Sequence, residues 1–233
     1  FGKKRNRSTR IVGLAVLLLL LLAVWLPGCG GDDGDDLSVM VFGTGFSSGE
    51  GLNPNMIQFS FATANAVYEK LVTYDNAKAE YVPTLATSWE TSEDGLTWTF
   101  HLREGVKFQD GSTFVADDVK YAFEQMLNGP QAYKFMAVDS LQVVDAKTVV
   151  FKLKFGYPLI YAISHAPFIV STTAVNKLGD KAYDPGNKAG TGPYMLKAVN
   201  TTVETTLERN PDYWAGWEGD HAGAPDVMIV RMI

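Results

Sequence analysis

One short segment of the chain fits a pattern used in nucleophilic catalysis. Residues 45–49 (GFSSG) match G-x-S-x-G, in which a serine is held on a sharp turn between a strand and a helix. A strand is predicted before the segment, but Pro54 and an aperiodic stretch follow where the helix should begin. Catalysis by Ser47 is therefore the less favoured interpretation. A glycine-serine loop beside a ligand or in solvent explains the segment better.

The remaining side chains that could do chemistry are scattered. His101, His165 and His221 are far apart in sequence and belong to no H-E-x-x-H or Cys-x-x-Cys pattern. Asp117 and Asp118 are adjacent on a predicted helix, where neighbouring side chains point about 100° apart. Interaction with the helix N-terminus explains these two acids better than a paired acid and base. The sequence thus predicts no metal site, no catalytic residues and no cofactor.

The single cysteine, Cys29, follows a segment with the features of an export signal. Residues 1–10 carry five basic side chains and no acid, and residues 11–26 are almost wholly apolar. That apolar run is shorter than the roughly 20 residues that span a bilayer, which favours a cleaved secretory signal. An uncleaved membrane anchor with an incidental cysteine is the alternative.

The residues just before the cysteine indicate the kind of signal. The sequence LPGC at residues 26–29 resembles the lipobox of bacterial lipoproteins, in which a peptidase cuts before the cysteine and lipid chains are attached to it. The resemblance implies that residues 1–28 are a lipoprotein signal peptide and that Cys29 is lipidated. Glycine and aspartate then make residues 29–37 a flexible acidic tether on an extracytoplasmic, lipid-anchored protein.

The charge balance argues against a nucleic-acid partner. The signal segment holds five of the 20 basic residues and none of the 26 acidic ones, which leaves 15 against 26, a net charge of −11. Binding to phosphates requires a basic surface, so nucleic acid is disfavoured. An ordinary solubilising surface on an exported protein accounts for the acidity.

Hydrophobic patterning predicts several strands. A buried strand is expected at residues 37–45, a strand of period two at 96–102, and two strands on either side of 145–147. Asp94-Gly95 and Asp110-Gly111 are predicted turns. Three more strands are predicted at residues 192–199, 201–210 and 226–233.

Two segments have helical spacing. The first is residues 61–72, with Thr63 as its N-cap. The second is residues 114–127, which places five apolar side chains on one face: Val119, Ala122, Phe123, Met126 and Leu127. Strands with interspersed helices and no steady βαβ repeat indicate a mixed α/β (α+β) fold.

Several motifs in order identify a family. Residues 86–108 read ATSWETSEDGLTWTFHLREGVKF, residues 190–194 read GTGPY, and residues 209–214 read RNPDYW. With the shorter matches around them, they resemble, from Leu52 to Ile233, the family 5 extracytoplasmic solute-binding proteins of ABC importers. These are the oligopeptide, dipeptide and nickel binders. One departure is Val115, where the family commonly has a capping threonine, so Thr113 or solvent is expected to serve the first amides of the helix.

The resemblance implies a two-lobed clamshell of the periplasmic-binding-protein-like II type. Residues 38–74 and 158–233 would form lobe one, and residues 75–157 a subdomain inserted in it. Members of the family are much longer, so lobe two is expected to be missing and this chain to be a fragment. Its last strand, 226–233, would then end without its neighbours, and such a fragment should be poorly soluble.

The implied function is capture of a solute outside the cytoplasm and its delivery to the membrane permease, without covalent chemistry. The segment between the first strand and the first helix would line the lobe-one side of the cleft. Its candidate ligand contacts are Gln58, Phe59, Ser60 and Phe61, although Phe59 and Phe61 could instead be core residues. No cluster of histidines or acids lies there for a bare metal ion, so a peptide or similarly polar organic solute is favoured over nickel.

Two other functions stay open at this point. One is a secreted lipoprotein hydrolase that uses Ser47 as its nucleophile. The other is a ligand-presenting sensor on the same binding fold, which would pass its ligand to a receptor instead of a permease.

Overall fold

A computed structural model describes residues 37–44, 52–56, 61–200 and 203–232 of the protein. Within these ranges the chain forms ten strands, four α-helices and three short 3-10 helices. The strands are β1 Val39–Thr44, β2 Val72–Asp75, β3 Glu80–Pro83, β4 Ala86–Thr91, β5 Thr97–Leu102, β6 Val138–Asp145, β7 Thr148–Leu153, β8 Tyr194–Asn200, β9 Glu204–Arg209 and β10 Val227–Met232. The α-helices are α1 Phe61–Val67, α2 Ala116–Leu127, α3 Leu159–His165 and α4 Thr172–Leu178, and the 3-10 helices are Ala132–Phe135, Gly179–Tyr183 and Gly219–His221.

One sheet brings the two ends of the described chain together. Its strand order is β1-β10-β9-β8, with β1 parallel to β10 and the other pairs antiparallel. The expectation that the last strand ends without neighbours is wrong, because Val230 of β10 is paired with Phe42 on one side and Thr205 on the other. The pairing with β1 joins residues far apart in sequence, so no local pattern announces it.

Strand β1 is less buried than its apolar sequence predicts. Leu37, before the strand, is 62% exposed, and Val39, its first residue, is 47% exposed. The prediction of a buried strand at 37–45 is therefore wrong at its beginning. The reason is position: among the described strands, β1 lies at the edge of its sheet and pairs with β10 alone.

The second sheet confirms the predicted hairpin and the predicted strand of period two. Its order is β4-β5-β7-β6, all antiparallel, with β6 and β7 joined at residues 145–148. Phe100 of β5 and Phe151 of β7 are fully buried with ring centroids 5.7 Å apart. Phe123 of α2 meets Phe151 edge to face at 5.4 Å. Edge-to-face contacts of this kind add to the burial energy of the rings.

Helix α2 follows the prediction except at its ends. Leu127 is 44% exposed, not on the buried face, because the helix stops there. The first amides are not served by Thr113: the Asp118 amide donates to the Val115 carbonyl at 3.0 Å. The Asp118 carboxylate in turn accepts from the Val115 amide (2.9 Å) and from the Thr172 hydroxyl (2.7 Å). Asp118 therefore ties α2 to α4, and burial raises the pKa of its carboxyl.

Helix α1 begins before its predicted N-cap. It starts at Phe61, so Thr63 lies inside its first turn and is buried. The prediction of Thr63 as N-cap is therefore wrong, because an N-cap residue stands before the first helical residue. The helix is short and ends at Val67, where two glycines of another segment contact it, as described below.

The described residues form two hydrophobic cores. The first lies between the β4-β5-β7-β6 sheet and helices α2 and α3, and includes Phe100, Phe151 and Leu71. The second lies under the β1-β10-β9-β8 sheet with α1 and α4, and includes Tyr68, Phe168 and Leu207. The chain passes from one core to the other between residues 68 and 71 and again between 166 and 170. The assignment of residues 38–74 and 158–233 to lobe one and of 75–157 to an inserted subdomain stays a prediction.

None of the helices in the described part of the chain combines the length and the apolar character that a membrane crossing requires.

Candidate functional site

The predicted ligand contacts, residues 58–61, lie mostly in a gap between the described residues Met56 and Phe61. Gln58, Phe59 and Ser60 fall outside the described residues, as do Ser47 and Cys29, and Phe61 is the first residue of α1. As a candidate ligand contact, Phe61 was expected in the segment just before the helix, but it is the first helical residue. The nearest described parts of the chain are residues 52–56 before the segment and α1 after it.

Asn55 fixes the chain just before the segment. Its side chain is fully buried and makes a reciprocal pair with the backbone of Phe168: Nδ2 donates to the carbonyl at 2.8 Å, and Oδ1 accepts from the amide at 2.8 Å. The turn that follows α2 closes on the same residue, because a Cβ on Gly129 would lie 2.5 Å from the Asn55 carbonyl oxygen. The position of Asn55 is thus set by both cores.

The GTGPY motif holds the end of α1. The Gly192 amide donates to the Val67 carbonyl at 2.9 Å. A Cβ on Gly190 would lie 2.0 Å from the Val67 carbonyl oxygen, and one on Gly192 would lie 2.6 Å from that of Ala66. Both glycines are required because backbone meets backbone here without room for a side chain. Gln109 completes the contact by donating to the Tyr194 carbonyl at 2.9 Å.

A buried carboxylate joins the two cores directly after α1. Glu69 is 8% exposed, and its two oxygens accept hydrogen bonds from the Tyr213 hydroxyl at 2.8 Å and from Trp214 Nε1 at 2.6 Å. Arg103 from the end of β5 lies over the Trp214 ring, 4.9 Å from its centroid. Tyr213 and Trp214 belong to the RNPDYW motif, so this cluster explains why that motif contains two aromatic donors. Burial raises the pKa of Glu69, and the two hydrogen bonds oppose that rise.

A polar groove lies on the other side of the chain at the same point. It has a volume of about 340 Å³ and is lined by Asn65, Lys70, Thr73, Tyr74, Asn76, Ser164 and His165. Lys70 is 7% exposed; its Nζ donates to the Asn65 side chain and lies 4.7 Å from the centre of the Phe168 ring. Burial lowers the pKa of Lys70 to about 8.

A second groove borders the segment at Met56. It has a volume of about 530 Å³, and Met56 is one of several lining residues: Leu52, Asn53, Met56, Gln125, Asp180, Tyr183 and Asp184. The second groove thus includes Met56, the last described residue before the segment, and the first includes Asn65 of α1.

The histidines do not meet. His101 lies on an exposed face of β5 with Nε2 3.7 Å from a Glu90 oxygen, as the alternating strand predicts. His165 ends α3 at the groove, and His221 packs edge to face on Tyr213 at 5.4 Å. In the part of the chain that the structure describes, no three His, Cys, Asp or Glu side chains are placed to hold a metal ion.

Sequence reasoning missed Glu69 and Lys70. Both lie in the run AVYEKLV, where the spacing was interpreted only as a helix. The signal that could have revealed them is the pair of charges inside an apolar run, since Glu and Lys are rarely buried without a specific partner.

Comparison with known proteins places these features in a family. The profile described as "Bacterial extracellular solute-binding proteins, family 5 Middle" matches residues 80–233. The Di/tripeptide-binding protein 2 of Pseudomonas aeruginosa (strain UCBPP-PA14) is 30% identical over 183 residues, which cover 66% of this chain and 34% of that protein. The chain thus spans about a third of the length of this relative.

Solved structures show the same fold. A structure of OppA from Haemophilus influenzae in complex with the peptide RPPGFSPFR matches with a TM-score of 0.74 at 24% identity, covering 85% of this chain and 42% of that one. NikA from Brucella suis in complex with Fe(III)-EDTA matches with a TM-score of 0.68 at 30% identity, covering 84% and 39%. The mixed α/β fold predicted from the sequence is therefore confirmed as that of these binding proteins. The chain belongs to the family 5 bacterial extracellular solute-binding proteins.

Proposed function

We propose that the protein is the extracytoplasmic solute-binding component of an ABC importer and that it captures peptides for delivery to the permease. The observation that carries this proposal is the family match over residues 80–233, together with a relative at 30% identity that is named a di/tripeptide-binding protein. Binding in such a fold needs no covalent step. The solute enters between two lobes, and hinge closure around it produces the form that docks on the permease.

The contacts around residues 57–60 support the placement of the solute. Asn55 is fixed by two hydrogen bonds to Phe168, and α1 is fixed by Gly192, so the intervening segment has defined ends. An extended segment offers backbone amides and carbonyls, which hold a short peptide strand-like with little dependence on its side chains. In this proposal Gln58, Phe59, Ser60 and Phe61 line the lobe-one side of the cleft.

The domain organisation belongs to the same proposal. Residues 38–74 and 158–233 form lobe one and residues 75–157 its inserted subdomain. The two hydrophobic cores support a division into two parts, and they place Leu71, Val72 and the apolar residues of α3 with the subdomain. The Glu69 cluster joins them, since Tyr213 packs in the aromatic group beside the second core and Trp214 packs on the first.

Calorimetry with the full-length protein tests the placement of the site. We expect di- and tripeptides to bind, and Gln58→Ala and Phe59→Ala each to weaken binding by roughly tenfold, the effect of losing one good contact. Gln142→Ala, on strand β6, is the control and should bind as the wild type does. Unchanged affinity in both variants would place the site elsewhere, and no heat with any peptide would contradict the function itself.

Membrane anchoring through Cys29 is a separate part of the proposal, supported by the LPGC sequence after a short apolar run. We expect the wild-type protein expressed in a bacterium to partition with membranes and to begin at a lipid-modified Cys29 by mass spectrometry. Cys29→Ser should abolish the modification. A Cys29→Ser protein that has lost residues 1–28 and still fractionates with membranes would contradict the lipoprotein assignment.

The alternatives differ in their support. The relatives named above are a di/tripeptide-binding protein and two proteins solved in complex with a peptide and with Fe(III)-EDTA, so they give no support to a hydrolase that uses Ser47. A ligand-presenting sensor would share the fold and the site. Genes for a permease and an ATPase beside this one would favour import, and a receptor gene in their place would favour sensing.

A further inference from the structure

An exposed apolar patch surrounds the 3-10 helix Ala132–Phe135. Phe135 is buried and packs edge to face on Phe123 of α2 at 5.3 Å, which fixes the inner side of this short helix. On its outer side, four large apolar side chains are 48% to 60% exposed: Tyr133, Met136, Phe155 and Tyr161. A soluble protein that exposes a contiguous apolar patch uses it to contact another molecule or a membrane.

Contacts between three elements bring these four side chains together. Tyr133 lies on the 3-10 helix, and Met136 follows it directly. The amide of the residue before Phe155 donates to the carbonyl of the residue after Met136 at 2.8 Å, which places Phe155 opposite Met136. Helix α3, which carries Tyr161, packs against the same 3-10 helix. The four side chains therefore form one surface, the Tyr133 patch.

The Tyr133 patch lies in the basic part of an acidic chain. Residues 125–138 and 146–179 together hold five lysines and neither aspartate nor glutamate, although the whole chain has 26 acids in 233 residues. One lysine of each run, Lys134 and Lys154, is the sequence neighbour of an aromatic residue of the patch. Only the short segment between the runs, 139–145, contributes acids, and these are two aspartates. The charge around the patch is thus complementary to an anionic partner.

We propose that the Tyr133 patch docks on the surface of an anionic lipid bilayer. Tyrosine rings favour the boundary between head groups and acyl chains, and an apolar face flanked by lysines is typical of segments that lie in this boundary. Each lysine near the surface adds attraction to the anionic head groups. The inference goes beyond the proposed function, because such docking requires neither a solute nor a permease.

A second copy of the chain is the competing occupant. In a two-fold symmetric dimer the same patch lies on both sides of the interface, so Lys134 and Lys154 of one copy would approach those of the other. Like charges brought together in an interface oppose association. Anionic head groups attract the same lysines, so the charge of the patch favours a bilayer over a dimer.

The experiment is flotation of the full-length protein with vesicles of phosphatidylcholine, with and without phosphatidylglycerol. The protein lacks residues 1–28 and carries Cys29→Ser, so no lipid anchor contributes. We expect binding to the anionic vesicles to be at least about tenfold stronger, since each lysine near the surface adds roughly a factor of five. Salt at about 1 M screens this docking, so salt-washed membrane fractions still test the Cys29 anchor alone.

Two substitutions with matched controls test the patch itself. Lys154→Glu should weaken binding to anionic vesicles by about tenfold, whereas Lys147→Glu, the same change at the other end of β7, should alter it by less than about twofold. Phe155→Ser should also weaken binding by about tenfold, because an aromatic side chain no longer leaves water. Val144→Ser, at a residue that is 61% exposed near the β6-β7 turn, should not. Thermal unfolding shows that each variant is folded.

Three results would overturn the inference. The first is no wild-type binding, or equal binding to both kinds of vesicle. The second is an equal loss in Lys154→Glu and Lys147→Glu, which would mean that net charge and not the patch decides. The third is a dimer in sedimentation that Phe155→Ser abolishes while the vesicles stay without protein, which would assign the patch to a second copy. Patch-dependent vesicle binding by a protein that binds no peptide would support the inference and count against the proposed function alone.

Discussion

Gly190→Ala is expected to lower the free energy of unfolding by about 3 kcal/mol, at the upper end of the usual cost of overpacking. The new methyl group would lie 2.0 Å from the Val67 carbonyl oxygen and 2.9 Å from the carbonyl carbon. Both are backbone atoms at the end of α1, so the collision cannot be relieved by a side-chain rotation. Either α1 or the GTGPY segment must move, and the Gly192–Val67 hydrogen bond would be strained with it.

Gly156→Ala is the control for this change. A Cβ placed on Gly156 would have no other atom within 4 Å, and the substitution adds the same single methyl group. Its free energy of unfolding should stay within about 0.5 kcal/mol of wild type in urea titrations, as for ordinary surface positions. Equal stability of the Gly190→Ala and Gly156→Ala variants would show that the close contact at Val67 is absent.

Glu69→Ala is expected to cost about 3 kcal/mol, because it leaves two hydrogen-bond donors without their acceptor. The Tyr213 hydroxyl and Trp214 Nε1 both donate to this carboxylate, and Glu69 is only 8% exposed. The loss acts on the junction of the two cores, so both should unfold at lower urea concentration. Glu93→Ala, at an exposed turn, should stay near wild type.

The pH dependence of this site has a definite sign. Burial raises the pKa of Glu69 in the folded state above the ordinary value of a glutamate. A carboxyl group with a raised pKa contributes stability below its unfolded pKa, and that contribution is lost as the pH rises through the folded pKa. The wild type should therefore gain stability relative to Glu69→Gln, which does not titrate, when the pH falls from 7 to 5. A relative loss on acidification would show that the hydrogen bonds outweigh burial.

Much of the structure between residues 86 and 153 was predictable because its signals are local. Period-two alternation located β5, and turn residues at 145–147 located the hairpin of β6 and β7. Two predictions were wrong for different reasons. The last strand was expected to lack neighbours, but Val230 is paired with a residue of β1 nearly 190 positions away, which no local pattern indicates. Thr63 was expected to be an N-cap, but α1 already begins at Phe61.

The placement of the candidate site stays a prediction, and its chemistry was not predictable from the sequence. The family resemblance implied residues 58–61 and the cleft, whereas the surroundings of Glu69 and Lys70 are visible only in the fold. These two residues are neighbours in sequence. The Glu69 carboxylate accepts hydrogen bonds from Tyr213 and Trp214, whereas the Lys70 side chain lines a groove.

Native mass spectrometry of the full-length protein in an equimolar mixture of dialanine, trialanine, a nickel chelate and glucose tests the central claim most directly. Each solute has its own mass, so the bound fraction of each is read from one spectrum without a label. We expect adducts of the peptides at several times the abundance of the others. A spectrum in which the nickel chelate or glucose is bound and neither peptide is found would contradict the assignment of this protein as a peptide-binding component.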